Sequence, residues 1–394
     1  MKRHYVPFDD SWRMPIDVTV SRAVRAGDLI FTCGQVDLDK HGQPQHAGDL
    51  VAQTTCAMRH LYSVLDHAGA HPQDIAHLHV FYHNDGNVDE REYRCAVAAT
   101  LHNHPSPVTV FTPLPYFFYP GVEVEIDAIA IRCDANISAK KQTFPGAVQH
   151  DDLIFAVGEP TRDRTGRVSD PDNLLGQTEQ ALATVEERLA ECGAHFNDVL
   201  KITIYLSDLG QQAISSAENL IAAHFAESRP VSTTVILATP GLPGETIRLE
   251  AIAVRAGGEE GAQKVYFNPE QHWQRSETLP YSQAIRCGNL MFIGGQLPLD
   301  TRGKVLHRDD LANQTRVVME YMGKLLHGTG VDFNQVVKVN TYYTSSGDPA
   351  ELHTNLKIRC AYFTDPGPAS TGIPVPGLRP DGAMISVDAI VVAT

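Results

Sequence analysis

The sequence predicts an α+β protein made of three tandem copies of one unit, each running β-β-α-β-α-β-β. Three landmarks recur in one register and carry that prediction. The segment DLIF at 28–31 returns as DLIF at 152–155 and as NLMF at 289–292, offsets of 124 and 137 positions. The glycines in HAGAHPQDI, ECGAHFNDV and GTGVDFNQV are Gly69, Gly193 and Gly330, with the same two offsets of 124 and 137. The closing segments IDAIAIR, LEAIAVR and VDAIVVA begin 123 and 138 positions apart. Self-similarity at a fixed period marks repeated units, and 394 residues exceed one ordinary core.

Each element follows from its local pattern. The apolar runs LIFTCGQ, LIFAVGE and LMFIGGQ read as strands ending near a glycine and a polar turn. A helix follows, with apolar residues at 3-4 spacing: Leu182, Val185 and Leu189 in repeat 2, and Val318, Met322, Leu325 and Leu326 in repeat 3. Each helix stops at its recurring glycine, as a C-cap. The β-branched and aromatic runs KITIYL and KVNTYY read as the next strand. A second helix (AENLIAAHF, HTNLKIRCAYF) and two closing strands complete the unit, with both helices on one sheet face. The repeats are placed at 1–134, 139–256 and 265–394, with polar linkers DANISAKK (134–141) and GGEEGAQK (257–264) between them. Trp12 and Trp273, like Tyr5 and Tyr266, stand 261 positions apart, so repeats 1 and 3 are expected to share an N-terminal segment that repeat 2 lacks. Each tryptophan is expected to plug the end of a core.

Composition narrows the function classes. A net charge of −15 without a basic cluster argues against a nucleic-acid partner. Seven cysteines with no C-x-x-C pair suit reduced thiols, and the start MKRHYVPFDD lacks an apolar h-region, so a cytoplasmic protein is expected. No apolar run approaches a membrane span, so no membrane partner is expected. His77, His79 and His83 share one face of a strand, but an extended chain spreads them about 6.6–13 Å, which is wide for one ion without help. No metal is expected, and no phosphate-binding, dinucleotide or nucleophile-elbow motif is present, so no cofactor is expected either.

The segments YSQAIRCGNLMFIGGQLPLD, GTGVDFNQVVKVNTYY and PAST…ISVDAIVV resemble the RidA family of reactive enamine/imine deaminases. The resemblance spans the chain three times, is strongest in repeat 3 and weakest in repeat 2. It implies a homotrimer-like arrangement with clefts between neighbouring units. A triple fusion would then form an intramolecular pseudo-trimer, monomeric or assembled further. It also implies an arginine that grips the substrate carboxylate with two charge-assisted bonds. Here that position falls on Pro107, Ser232 and Ser370, none of them cationic. The family's closing-strand glutamate falls on Glu125, Arg248 and Ser386, and its covering aromatic on Val20, Phe144 and Tyr281. Its second-helix asparagine falls near Arg94, Glu218 and Asn355.

The expected function is therefore a cofactor-free hydrolase or deaminase acting on a small, anionic C=N or C–N compound. Glu125 would order the attacking water, Tyr281 and Asn355 would orient the substrate, and backbone N–H groups near Gly34 or Gly295 would stabilise developing charge. Arg94 or Arg248 would replace the missing clamp, with Ser370 and Arg359 as further substrate contacts. Cys33 is a candidate nucleophile or a packing thiol. The aromatic loop PLPYFFYPG (113–121) either caps a cleft or buries against a neighbour, and Arg379 is another possible anion contact. A second class stays open: a non-catalytic ligand-binding or chaperone-like homologue. So does a specialised enzyme acting on a cyclic amide or a chorismate-type substrate.

Overall fold

The computed structural model describes residues 2–9, 11–102, 104–133, 141–255, 263–270, 272–274 and 279–393. Repeat 1 runs β1 (Arg3–Val6), β2 (Ala23–Ala26), β3 (Leu29–Thr32), β4 (Gln35–Val36), α1 (Leu50–Ala68), β5 (Ile75–His83), α2 (Glu90–Thr100), β6 (Val108–Leu114) and β7 (Val124–Ile131). Repeat 2 runs β8 (Lys141–Phe144), β9 (Ala147–His150), β10 (Leu153–Gly158), α3 (Leu174–Glu191), β11 (Val199–Ser207), α4 (Gln211–His224), β12 (Val231–Leu237) and β13 (Ile247–Val254). Repeat 3 runs β14 (Lys264–Phe267), β15 (Ala284–Cys287), β16 (Leu290–Gln296), α5 (Leu311–Gly328), β17 (Val336–Tyr343), α6 (Pro349–Cys360), β18 (Ala369–Pro374) and β19 (Ile385–Val392). Each repeat forms one sheet, and in each the strand between the two helices pairs parallel with the strand after the second helix. The expected linkers fall largely on 134–140 and 256–262, outside the described residues.

The unit carries one strand more than expected before its first helix. Repeat 2 does have a counterpart of the N-terminal strand, β8, joined to β9 by the two residues Pro145 and Gly146. What repeats 1 and 3 share is an excursion between the paired strands, residues 7–22 and 268–283. Trp12 and Trp273 sit on these excursions and are buried, and each indole N–H donates to a glutamine side chain, Gln35 at 3.2 Å and Gln296 at 2.9 Å. They thus plug cores and also fix a polar group, which a buried tryptophan requires.

The first helices end as their glycines dictate. Gly69 takes φ 80° and its N–H returns to Asp66 and Leu65, and Gly193 and Gly330 take φ 67° and 76°. Only a residue without a Cβ holds that left-handed geometry cheaply. The helices bury their apolar stripes on one sheet face, including Leu182, Val185, Leu189, Val318, Met322, Leu325 and Leu326.

The opposite faces of the three sheets meet. Phe31, Phe155 and Phe292 come from equivalent positions and converge with their neighbours on one apolar core. The excursion of repeat 1 reaches β18 of repeat 3, where Ser21 N–H donates to the Pro368 carbonyl at 3.0 Å. The excursion of repeat 3 reaches β12 of repeat 2 identically, Ser282 to Pro230 at 3.0 Å. Repeat 2 has Pro145 at that position, which has no N–H to donate, and it meets repeat 1 through β9 and β10 instead.

Beside this core, each interface buries an acid–base pair at equivalent positions. Lys338 of repeat 3 pairs with Asp127 of repeat 1 at 2.8 Å, Lys201 of repeat 2 with Asp388 of repeat 3 at 2.8 Å, and His77 of repeat 1 with Glu250 of repeat 2 at 3.2 Å. Thr371 and the Thr32 carbonyl complete the Lys338 site. This also accounts for the histidines: His79 bonds Thr112 at 2.8 Å and His83 bonds Glu123 at 2.6 Å. Burial pushes Glu250 upward, but His77 beside it holds the carboxyl down at about 2.

Removing one member of a buried pair strands the other in a low dielectric, at about 3–5 kcal/mol. Lys338→Ala should therefore lower the unfolding free energy by about that amount in a denaturant titration. Arg308→Ala, at the exposed Arg308–Asp381 pair, should change it little. Equal, small losses in both variants would show that the interface pairs do not hold the repeats together.

Candidate functional site

Strand register fixes which residues are equivalent at the three interfaces. Glu125, Arg248 and Ser386 stand opposite Phe81, Tyr205 and Tyr342 on the neighbouring strand, as the sequence implied. Thr109, Ser232 and Ser370 stand opposite Leu78, Ile202 and Val339. The residue of repeat 1 at the expected arginine position is thus Thr109, two places after Pro107. Phe111, Thr234 and Gly372 follow two residues further along the same strands. The three interfaces have the same skeleton and three different chemistries.

The interface of repeats 1 and 2 is a packed ion cluster. Arg248 is fully buried and bonds Glu245 at 2.8 Å, Glu90 at 3.2 Å, the Phe111 carbonyl and, at 3.5 Å, Glu159. Arg94 bonds Glu159 at 2.6 Å and Glu90 at 2.8 Å and lies over the Phe111 ring. Arg162 adds a third cation on Glu159 at 2.9 Å. Burial alone would raise Glu159, but Arg248 and Arg94 hold its carboxyl well below the usual range. Arg94 and Arg248 each already pair with glutamate side chains of this cluster. The geometry does not favour either as a free clamp for an incoming anion. Arg379, likewise, is paired with Asp208 of repeat 2 at 2.7 Å.

The interface of repeats 2 and 3 holds a cavity of about 330 Å³ lined by Ser232, Trp273, Tyr281, Ser282 and Gly295, among others. Ser386 replaces the glutamate, and its hydroxyl lies 2.6 Å from where a Cβ on Gly295 would stand. No arginine or lysine is among the described residues of that lining.

The interface of repeats 1 and 3 holds a cavity of about 90 Å³. Its floor is Cys33, Gly34 and Glu125 of repeat 1, facing Tyr343, Arg359, Ser370 and Gly372 of repeat 3. Phe8, Trp12, Met14 and Val20 of the repeat 1 excursion form one wall. The loop after β6 closes the other: Phe118 stacks on Tyr343 at 5.2 Å, Tyr116 donates to the Ser345 carbonyl at 3.3 Å, and Tyr119 meets His353 at 3.2 Å. The aromatic loop therefore both caps a cavity and buries against the neighbouring repeat.

Two charged groups define the cavity. Arg359 is 3% exposed and projects from α6. Its Nε donates to Asn355 at 2.8 Å and its Nη1 to Ser370 at 3.2 Å, but among the described residues no carboxylate pairs with it. Burial accordingly lowers the guanidinium's pKa. Asn355 donates in turn to Thr315 at 2.7 Å, so it stands behind Arg359 and orients it. Glu125 lies over Gly34 so closely that a Cβ there would fall 1.7 Å from its carboxylate. No described residue hydrogen-bonds the Glu125 carboxyl group. Burial, then the charge of Asp127, pushes its carboxyl up to about 8 against the pull of Lys338. At neutral pH the cavity therefore contains a neutral acid and an uncompensated cation. Burial likewise pushes the Cys33 thiol up to about 12, and Gln35 bonds its sulfur at 3.2 Å. It is a packing thiol, since only a thiolate attacks.

The structure thus brings Glu125, Gly34, Cys33, Arg359 and Ser370 together, with Asn355 in support. Tyr281 and Gly295 belong to the cavity between repeats 2 and 3. Two contributors were not read from the sequence. Tyr343 is inconspicuous inside the run KVNTYY. The interface pairs, in contrast, did leave a signal, because His77, Lys201 and Lys338 share the offsets of 124 and 137.

Comparison with known proteins identifies the repeated unit. The Endoribonuclease L-PSP family model matches residues 16–132, 135–255 and 274–393. A RutC family protein of Pyrococcus horikoshii is 35% identical over 111 residues, 28% of this chain and 85% of that protein. Reactive Intermediate Deaminase A of Arabidopsis thaliana is 34% identical over 111 residues, 28% of this chain and 57% of that protein. A mouse protein named 2-iminobutanoate/2-iminopropanoate deaminase is 29% identical over 113 residues, 29% of this chain and 81% of that protein. The crystal structure of RidA from a Psychrobacter species is 27% identical, covering 32% of this chain and 98% of its own, with a TM-score of 0.29. The three matches, each one domain long and together spanning nearly the whole chain, make this a member of the Endoribonuclease L-PSP, or RidA, family with three tandem copies of the family domain.

Proposed function

We propose that the chain is a one-chain trimer that hydrolyses a small imine bearing a carboxylate, in the cavity between repeats 1 and 3 alone. The observation that carries this is Arg359, a buried guanidinium without an anionic partner among the described residues. A buried cation left unpaired costs several kcal/mol, so an anionic ligand would be strongly favoured there. The relatives named as deaminases of 2-imino acids supply the reaction class. The cavity size supplies the scale: about 90 Å³ is below the roughly 150 Å³ that takes up a benzene-sized guest.

Arg359 would hold the substrate carboxylate in place of the family's strand arginine, whose position is Ser370. Glu125, protonated at neutral pH, would give its proton to the imine nitrogen. Water would then add to the carbon and return a proton to the Glu125 carboxylate. Glu125 would next protonate the amine of the resulting carbinolamine, and the C–N bond would break as the hydroxyl proton returns to Glu125. The products are a 2-oxo acid and ammonia, with Glu125 again protonated. Cys33, Trp12 and Phe118 would exclude other water.

With 2-iminobutanoate generated in situ, the wild type should accelerate ammonia release. Arg359→Met should reduce kcat/KM about ten- to a hundredfold, the worth of a charged hydrogen bond. Unchanged kcat/KM in that variant would remove Arg359 from the reading. Titration calorimetry with 2-oxobutanoate should give one site per chain, and three sites would contradict a single competent interface.

The pH dependence has a definite sign. Glu125 titrates near 8 in the fold but near 4.3 when unfolded, so the fold favours its protonated form. The stability this group contributes is full below about pH 4 and is lost as pH rises to about 8. Above that the carboxylate also repels an anionic ligand. Affinity for 2-oxobutanoate should therefore fall above pH 8 in the wild type and stay flat in Glu125→Gln. The same fall in both proteins would assign the titration to another group.

A further inference from the structure

We propose that Tyr343 is a second anion-binding residue of the same cavity and sets its selectivity for a carboxylate; this rests on the reading of Arg359 above. Tyr343 is fully buried, its hydroxyl makes no hydrogen bond with any described residue, and its ring lines the cavity. An unsatisfied buried hydroxyl costs about as much as a lost hydrogen bond. Such a group persists where a ligand or an ordered water completes it.

The backbone opposite explains the room it has. A Cβ on Gly372 would lie 3.6 Å from Arg359 Nη2 and 3.8 Å from Tyr343 Oη. The two donors therefore flank one small space, kept open because residue 372 has no side chain. The equivalent position in repeat 1 is Phe111, whose ring lies under Arg94. In repeat 2 it is Thr234, which bonds Glu218 at 3.3 Å. The tyrosine is also distinctive. Its counterpart Tyr82 donates to Glu90 at 2.7 Å and is thereby occupied, and the counterpart in repeat 2 is Leu206. Among the described residues, only in repeat 3 do an open glycine, a phenol without a hydrogen bond and a cation without a carboxylate meet.

A two-oxygen anion fits this arrangement. One oxygen accepts from Arg359 Nη2 and the other from Tyr343 Oη, while Asn355 and Ser370 keep the guanidinium in place. Burial holds the phenol neutral, so it donates rather than repels. An imine without the carboxylate would leave both donors unpaired in a dry site, which is where discrimination by missing hydrogen bonds is largest.

Tyr343→Phe tests this, because it removes one oxygen and keeps the ring stacked on Phe118. The probe is 2-oxobutanoate, titrated calorimetrically into wild type, Tyr343→Phe and Arg359→Met, with denaturant unfolding of each protein without ligand. Tyr343→Phe should bind about ten- to a hundredfold more weakly, with ligand-free stability unchanged or raised. Wild-type affinity in Tyr343→Phe beside lost affinity in Arg359→Met would overturn the role of Tyr343 and leave Arg359 standing. Wild-type affinity in both variants would overturn the two together. Weaker binding accompanied by an equal loss of ligand-free stability would make the hydroxyl structural and also overturn the proposal.

Discussion

The three buried acid–base pairs across the repeat interfaces are the constraint on which the arrangement depends. Each repeat contributes one acid and one base, and each base reaches the acid of the next repeat around the ring. Such pairs add little net stability over apolar packing, but a repeat misplaced against its neighbour would leave both members of a buried pair without a partner. They therefore select one arrangement, with equivalent faces meeting in cyclic order. That order creates three interfaces with one backbone skeleton, and the skeleton presents the cavity-facing positions of the closing strand and of the strand after the second helix.

Covalent fusion then frees these positions to differ. In a ring of identical chains one substitution appears three times, whereas here each interface changes alone. The interface of repeats 1 and 2 has filled its skeleton with Arg94, Arg162 and Arg248 against Glu90, Glu159 and Glu245. The interface of repeats 2 and 3 has Ser386 at the position of Glu125 and a polar lining with no arginine or lysine among its described residues. Only between repeats 1 and 3 does a carboxyl group face a cation that nothing in the described structure neutralises. That cation projects from α6, and Ser370 on the neighbouring strand accepts from its guanidinium.

Most of the fold was legible because periodicity is local. The strands, helices, C-cap glycines and threefold register follow from patterns within short windows. The third N-terminal strand was not legible, since KQTF, with its polar and partly exposed residues, lacks an apolar alternation. The site was half legible. Glu125, Gly34, Cys33, Ser370 and Arg359 were nominated and do meet. Arg94 and Arg248 were nominated as clamps, and their pairing with Glu90, Glu159 and Glu245 was not read, because those glutamates come from three separate segments. Tyr281 and Asn355 were assigned by homology to one cleft, yet Tyr281 belongs to another interface and Asn355 acts through Arg359. Which repeats share a cavity is set by packing between units, and no single repeat encodes it.

The most direct test of a single competent interface is a crystal structure with 2-oxobutanoate bound. The account predicts one molecule per chain between repeats 1 and 3, its carboxylate on Arg359 and its carbonyl carbon toward Glu125. Occupancy of the cavity between repeats 2 and 3 instead, or a guanidinium of Arg359 paired with a protein carboxylate, would contradict it.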